Sequence, residues 1–274
     1  MLNIGHRYKT AAFALITFMV LIIGQMLSAA QATERPYKIN ILDGGQEDGS
    51  YLAAIELKLA GGYLTYWRTP GEAGIAPSFN WSASENLETV SVEWPAPERV
   101  LEADSVVYGF HKQVIIPLRI KPKQTGKPVT LNLELQFGVC KDICIPSTDT
   151  ISTSLTGKGD NAVVVQRAFR NLPVKQKLAE AGALSVLSVT RSDKENEYIA
   201  RLRTPENQAT ELFAEGLDGW ILSTSLERNG PEVGTSDFTI KVEYAPKAEL
   251  TTKPFIRLTA KSGTQSIETE VQVE

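Results

Sequence analysis

Cys140 and Cys144 are the residues whose type and spacing point most directly to chemistry, in the run Gly138-Val-Cys140-Lys-Asp-Ile-Cys144-Ile-Pro146. A close pair of thiols suits thiol–disulfide exchange, because one sulfur can form a mixed disulfide that the other then resolves. The competing reading is a structural staple. In the chain-entropy model a bridge closing about five residues contributes roughly 2 kcal/mol, against ~4.7 kcal/mol for a hundred-residue loop. So short a bridge constrains little of a 274-residue chain. Cys-x3-Cys is a less specific signal than Cys-x2-Cys. Lys141 favours a thiolate beside it, and Asp142 opposes that. To be bridged, the two Cα atoms must approach to about 4.4–6.8 Å, so the chain has to turn between them. A hairpin tip does this, with Pro146 closing the loop, and so does a single helical turn.

Other chemistries fit less well. Zinc asks for four ligands, and the chain holds two Cys and two His, of which His6 lies in the N-terminal leader. An iron–sulfur cluster lacks ligands within one chain. Cu(I), a soft ion, can be held by two thiolates, so copper binding at Cys140 and Cys144 stays open. His111 reads as a surface or loop residue. A serine triad would need it as the base, and no nucleophile elbow is present. Lys and Arg number 28 against 32 Asp and Glu, without a basic run, which excludes a nucleic-acid footprint. Thiol exchange calls for no dissociable cofactor.

The elements that must position the pair read as strands. In Val129–Phe137, Leu131, Leu133, Leu135 and Phe137 alternate with Asn132, Glu134 and Gln136, the period of a strand with one buried and one wet face. Ser50–Leu59 and Gln113–Ile120 are further strands. Gly44-Gly45, Gly61-Gly62, Thr69-Pro70-Gly71 and Gly126-Lys127-Pro128 read as turns. After a loop at Gly157–Asp160, Val164, Val165, Ala168, Phe169 and Leu172 recur at helical spacing, with Asp160 or Asn161 as the cap. A second short helix is expected from Val174 to Ala181. Strands return at 184–190, 197–203, 219–226, 238–244, 255–260 and 266–273. The fold expected is all-β, two antiparallel β-sandwich domains joined by a short helical segment. The division expected is a leader at 1–32, a redox domain at 33–157, a helical linker at 158–183 and a second sandwich at 184–274.

Phe137-Gly-Val-Cys140-Lys-Asp-Ile-Cys144-Ile-Pro146 resembles the active-site segment of the amino-terminal periplasmic domain of the thiol:disulfide interchange protein DsbD. Gly62-Tyr63-Leu64-Thr65-Tyr66-Trp67-Arg68-Thr69-Pro70-Gly71 is similar to an early strand of that family, especially in its ScsB (suppressor of copper sensitivity) branch. Val106-Val107-Tyr108-Gly109 resembles the cap loop, with Val107 where the family has an aromatic residue. The resemblance covers residues 37–156. It implies immunoglobulin-like sandwiches and a role passing electrons between periplasmic thiol proteins, with a membrane electron donor as a further partner. Cys140 and Cys144 would be the redox pair. Tyr63, Tyr66, Val107 and Tyr108 would line and shield it. Cys144, past the turn, would be the sulfur that joins the partner, and Cys140 the enclosed one. The rival is a non-catalytic β-sandwich binding module with a structural disulfide that binds Cu(I) when reduced.

The N-terminus gives the place. His6-Arg7-Tyr8-Lys9 precedes an apolar run from Ala11 to Ile23, and Ala30-Gln31-Ala32 follows. This is the pattern of a secretory signal peptide. The run is shorter than the ~20 residues that span a bilayer, so membrane contact is expected only during export. The product is expected to be soluble in the periplasm, where oxidising conditions favour a disulfide. Intact mass of protein recovered from periplasm should correspond to a chain beginning at Thr33. Retention of residues 1–32 in a membrane fraction would replace secretion with anchoring.

Overall fold

The computed structural model describes residues 35–246 and 255–273 apart from 103 and 218, so the leader expected at 1–32 lies outside the described residues. The first half supplies β1 (Tyr37–Glu47), β2 (Ser50–Leu59), β3 (Leu64–Gly71), β4 (Ser78–Asn80), β5 (Leu87–Val92), β6 (Glu98–Glu102), β7 (Ser105–His111), β8 (Gln113–Pro122), β9 (Val129–Cys140) and β10 (Cys144–Leu155). One sheet runs β1-β2-β8-β5. The other runs β10-β9-β3-β7-β6, with β4 paired to β9. Ile55 and Leu118 from the first sheet meet Trp67, Leu133 and Phe137 from the second in one buried core. β9 follows its alternation, burying Leu131, Leu133, Leu135 and Phe137 and turning Asn132, Glu134 and Gln136 to the wetter side.

β2 departs from simple alternation for a physical reason. Tyr51, Ala53, Ile55 and Leu57 enter the sandwich core, while Leu52 and Ala54 meet a helix on the opposite face. That helix, α1 (Ala162–Arg170), buries Val165 in full. It lies close to β1, since a Cβ on Gly44 would come within 2.5 Å of Val165 Cγ1. Asn161 takes the cap position without a side-chain capping bond, and its backbone N–H donates to Asp43 O at 2.9 Å.

Two glycine-containing segments read as turns lie inside strands. Gly44-Gly45 forms a bulge in β1, where Gly45 has φ 91° and pairing slips between Asp43 and Gly45. Thr69-Pro70-Gly71 ends β3, whose pairing with β7 skips from Tyr66 to Gly71. The helix expected at Val174–Ala181 is also corrected. Val174–Lys175 forms β11, which pairs in parallel with Ile267 and Glu268. The N–H groups of Gln176 and Ala179 donate to Glu268 O and Val186 O. The sheet edge claims the donors that a helix would use internally, so tertiary pairing overrides local propensity.

The second half adds β12 (Ser185–Arg191), β13 (Glu197–Arg203), β14 (Thr210–Glu215), β15 (Ile221–Thr224), β16 (Arg228–Asn229), β17 (Thr235–Tyr244), β18 (Phe255–Ser262) and β19 (Gln265–Gln272). Sheets β11-β19-β18-β14 and β12-β13-β17-β15 enclose a separate core that includes Leu202, Leu212, Phe238, Ile240 and Leu258. β14 escaped the sequence reading because both its faces are buried. Leu212 and Ala214 enter the second core, and Phe213 enters the first.

Phe213 sets its ring edge-on to Trp67 and Tyr108, with centroids 5.9 and 5.0 Å away. Beside it, Arg68 donates through Nε and Nη2 to the two oxygens of Glu215 and through Nη2 to Glu268 at 2.7 Å. Burial disfavours the guanidinium charge, but the two carboxylates outweigh it and push the Arg68 pKa upward. The two sandwiches are therefore joined by an aromatic plug and an ion cluster. Phe213→Ala should cost about 3–5 kcal/mol, the usual loss for emptying a buried phenylalanine site, read as a lower urea midpoint at constant pH. A cost below about 1 kcal/mol would mean the site collapses without penalty.

Candidate redox site

β9 and β10 pair in register from Val129–Leu155 up to Cys140–Cys144, so the two cysteines face each other on the last rung of a hairpin. Lys141, Asp142 and Ile143 close the tip. The Cα atoms stand 4.1 Å apart, and the sulfurs form a disulfide. The helical-turn alternative is thereby replaced by the hairpin. The two ends of the bridge differ sharply in exposure. Cys140 is 0% exposed, whereas Cys144 is exposed next to Ile143 and Ile145, which are 77% and 45% exposed.

Tyr66 reaches the bridge from β3, which pairs with β9 through Leu64–Cys140 and Thr65–Val139. Its hydroxyl oxygen lies 2.7 Å from Cys140 Sγ and 3.0 Å from Cys144 Sγ. A disulfide sulfur carries no hydrogen, so the only proton among these atoms is that of the phenol. It donates to Glu102 Oε2 at 2.8 Å. The other Glu102 oxygen lies 3.6 Å from Cys144 Sγ. Burial, then the hydrogen bond and charge of Glu102, push the Tyr66 pKa far above the ordinary tyrosine range.

Close backbone approach makes room for this ring. A Cβ on Gly138 would lie 2.9 Å from the Tyr66 ring and 3.0 Å from Ile75 Cβ, and a Cβ on Gly74 would strike the same ring from the 71–77 segment. Leu64, Tyr66, Val107 and Cys140 form a small buried cluster, with Ile75 and Val100 packed against it.

The structure thus brings Cys140, Cys144, Tyr66 and Val107 together. Tyr63 sits one step away, with Lys141 Nζ 5.7 Å from its ring centre. Tyr108 is a correction to the expected lining. It follows Val107 on β7, and the pleat sends it to the opposite face. There it packs on Phe213 and shares a hydrogen bond with Thr224 at 3.2 Å. His111 pairs with Glu98 at 2.9 Å on the surface. The sequence reading missed Glu102, Gly74 and Ile75, which lie far from the cysteines in the chain. Gly138 carried a signal, as a glycine inside a strand often marks close backbone approach.

A β-sandwich with an asymmetrically exposed disulfide at a hairpin tip, and a tyrosine against both sulfurs, is the class of protein this geometry defines. Residues 32–156 match the family model described as the N-terminal domain of the thiol:disulfide interchange protein DsbD. The fold is immunoglobulin-like. The N-terminal periplasmic domain of ScsB from Proteus mirabilis is similar over 89% of this chain and 96% of that chain, at 19% identity and a TM-score of 0.69. That likeness of fold spans both sandwiches. The DsbD N-terminal domain from Neisseria meningitidis, in its reduced form, matches 46% of this chain and 87% of that chain at 14% identity, with a TM-score of 0.26. No curated protein matches the chain.

The raised Tyr66 pKa carries a pH signature. An acid whose folded pKa lies above its unfolded value contributes stability that is fully present below the unfolded pKa, here 10.0, and is lost as pH climbs further. The stability difference between wild type and Tyr66→Phe should therefore be constant from pH 7 to 9 and shrink above about pH 10. Urea titrations of the two proteins across that range check it, and a constant difference to pH 11 would place Tyr66 in a wetter site than its contacts indicate.

Proposed function

We propose that this chain is a periplasmic thiol–disulfide exchange protein that passes electrons between thiol proteins through Cys140 and Cys144. The observation that carries the reading is the asymmetry of the bridge, one sulfur fully enclosed and the other open to solvent. A structural staple gains nothing from presenting one sulfur, whereas exchange needs one accessible sulfur and one that leaves. The match of residues 32–156 to the DsbD N-terminal family model supports the same chemistry.

In the oxidised chain a partner thiolate attacks Cys144 Sγ. A new sulfur–sulfur bond forms, the Cys144–Cys140 bond breaks, and its electron pair leaves on Cys140. A second partner thiolate then attacks the partner's own sulfur in the mixed disulfide. The partner departs oxidised and the chain keeps two electrons as a dithiol. In the reverse direction Cys144 attacks a partner disulfide, and Cys140 resolves the intermediate by attacking Cys144. Tyr66 and Val107 shield Cys140, and Tyr63 flanks the tip through Lys141.

Export rests on the leader-like residues 1–32, and the similar ScsB domain is described as periplasmic. Among the described residues no helix is long and apolar enough to cross a membrane. The partners proposed are periplasmic thiol–disulfide proteins and a membrane electron donor. We assign 33–157 to the redox domain, 158–183 to the linker and 184–274 to the second sandwich. One observation favours the rival, a binding module that holds Cu(I) when reduced. Ligand atoms of Glu102, Cys140 and Cys144 lie within 4.8 Å of one another, a donor set for one ion once the bridge is open.

Cys140→Ala leaves Cys144 free to attack but unable to be resolved, so it should accumulate mixed disulfides with periplasmic thiol proteins. Cys144→Ala should trap far fewer. Non-reducing electrophoresis of cell extracts with mass spectrometry reads both. Equal trapping would remove the division of roles, and trapping by neither would favour the binding module.

A further inference from the structure

We propose that Glu102 is a specificity-determining residue of the disulfide, a fixed negative charge that slows attack by anionic thiols and favours a partner carrying positive charge beside its cysteine. The inference rests on the exchange reading above and adds to it what kind of thiol is admitted. Glu102 ends β6, 38 residues before Cys140 in the chain, and nothing in the cysteine motif points to it.

Three observations place its charge where exchange would feel it. One carboxylate oxygen lies 3.6 Å from Cys144 Sγ, the exposed sulfur that an incoming thiolate must reach. The other accepts the Tyr66 hydroxyl at 2.8 Å. None of the ion pairs among the described residues involves Glu102. Lys141, beside Cys140 in the chain, is engaged over the Tyr63 ring, and its side chain would lie 3.1 Å from a Cβ on Gly62. A carboxylate bears a full negative charge at neutral pH.

The reaction itself supplies the reason that this charge matters. An attacking thiolate brings one negative charge to Cys144 Sγ. As the new sulfur–sulfur bond forms and the old one breaks, that charge spreads over three sulfurs and comes to rest on Cys140. Throughout, it develops within a few ångströms of the Glu102 carboxylate, a range at which like charges repel even at a solvent-exposed position. The phenol of Tyr66 does not offset this while its proton is given to Glu102. It lies 2.7 Å from Cys140 Sγ with its one hydrogen directed to the carboxylate. A thiol with its own cation next to the sulfur meets Glu102 as a counter-ion instead. The same charge that repels a free anionic thiol thereby attracts a partner with a lysine or arginine at its reactive cysteine.

The test follows the reduction of the Cys140–Cys144 bridge in the purified full chain by three small thiols, at low ionic strength and equal thiolate concentration. Cysteamine is cationic, 2-mercaptoethanol neutral and mercaptoethanesulfonate anionic. The cysteamine-to-mercaptoethanesulfonate rate ratio should be about tenfold larger in wild type than in Glu102→Gln, and the difference should shrink as added salt screens the charge. Asp104→Asn removes an exposed carboxylate two residues along and should leave the ratio as in wild type. Equal ratios in wild type and Glu102→Gln overturn the proposal. So does an Asp104→Asn ratio as low as that of Glu102→Gln, which would assign the effect to diffuse surface charge. Small thiols read the bridge directly, so this result is independent of trapping in cells. Charge discrimination without trapping sinks the exchange reading, and trapping without charge discrimination sinks the role of Glu102 alone.

Discussion

The pleat of the β-strand, which sends neighbouring side chains to opposite faces, is the constraint on which this molecule depends. On β3, Tyr66 faces the sulfurs and Trp67 enters the main core, while Arg68, past the last regular rung with β7 at Tyr66–Gly109, reaches the carboxylates of the second sandwich. On β7, Val107 packs with Cys140 while Tyr108 meets Phe213. On β9, Val139 belongs to the main core and Cys140 to the small cluster outside it. Three adjacent strands thus carry the site on one face and, on the other, the main core into which Phe213 of the second sandwich inserts. A one-residue slip in the pairing of β3 with β9 would exchange those faces, so the packing of either one fixes the register of both.

The two kinds of contact at the joint differ in what they contribute. Phe213, Trp67 and Tyr108 are each fully or almost fully buried, and apolar burial of this kind is the main source of stability. Arg68 with Glu215 and Glu268 must first offset the desolvation of three charges, so its net gain is small. Its cost appears on disruption, when a carboxylate is left without its partner. Thr69 adds a further hydrogen bond to Glu215 at 2.8 Å, which helps to satisfy that carboxylate. Phe213 supplies the stability of the joint, and the ion cluster makes misaligned packing expensive.

What was legible in the sequence follows the range of the forces involved. The alternation of Leu131, Leu133, Leu135 and Phe137 is local, and the strand is there. The helical spacing of Val165 and Phe169 is local as well, and α1 is there. Val174–Ala181 also has good local helix propensity, yet its backbone is taken by β19 and β12, which no local pattern reveals. The bulge at Gly44-Gly45 looks like a turn because both need glycine at positive φ. The cysteine pair and Tyr66 lie in motifs that announce themselves. Glu102 does not, because its proximity to Cys144 is created by the fold alone. Tyr108 was misplaced for the same reason, since Val107 and Tyr108 are both buried and only the registered sheet decides which of them meets Cys140.

Enclosure and charge then act on different ends of the same bond. Burial of Cys140 beneath Tyr66 and Val107 leaves Cys144 as the sulfur in reach, a steric bias independent of the attacker's charge. Glu102 touches the accessible sulfur and orients the phenol beside the enclosed one, so its influence spans attack and departure alike. Packing alone would admit any thiol small enough to reach the tip, and a surface charge alone would leave both sulfurs equivalent. Because Tyr66 contacts both sulfurs and Glu102, it is the residue through which the steric and electrostatic biases meet. Its ring lies between Gly74 and Gly138, and the absence of side chains at those two positions is what lets it sit there.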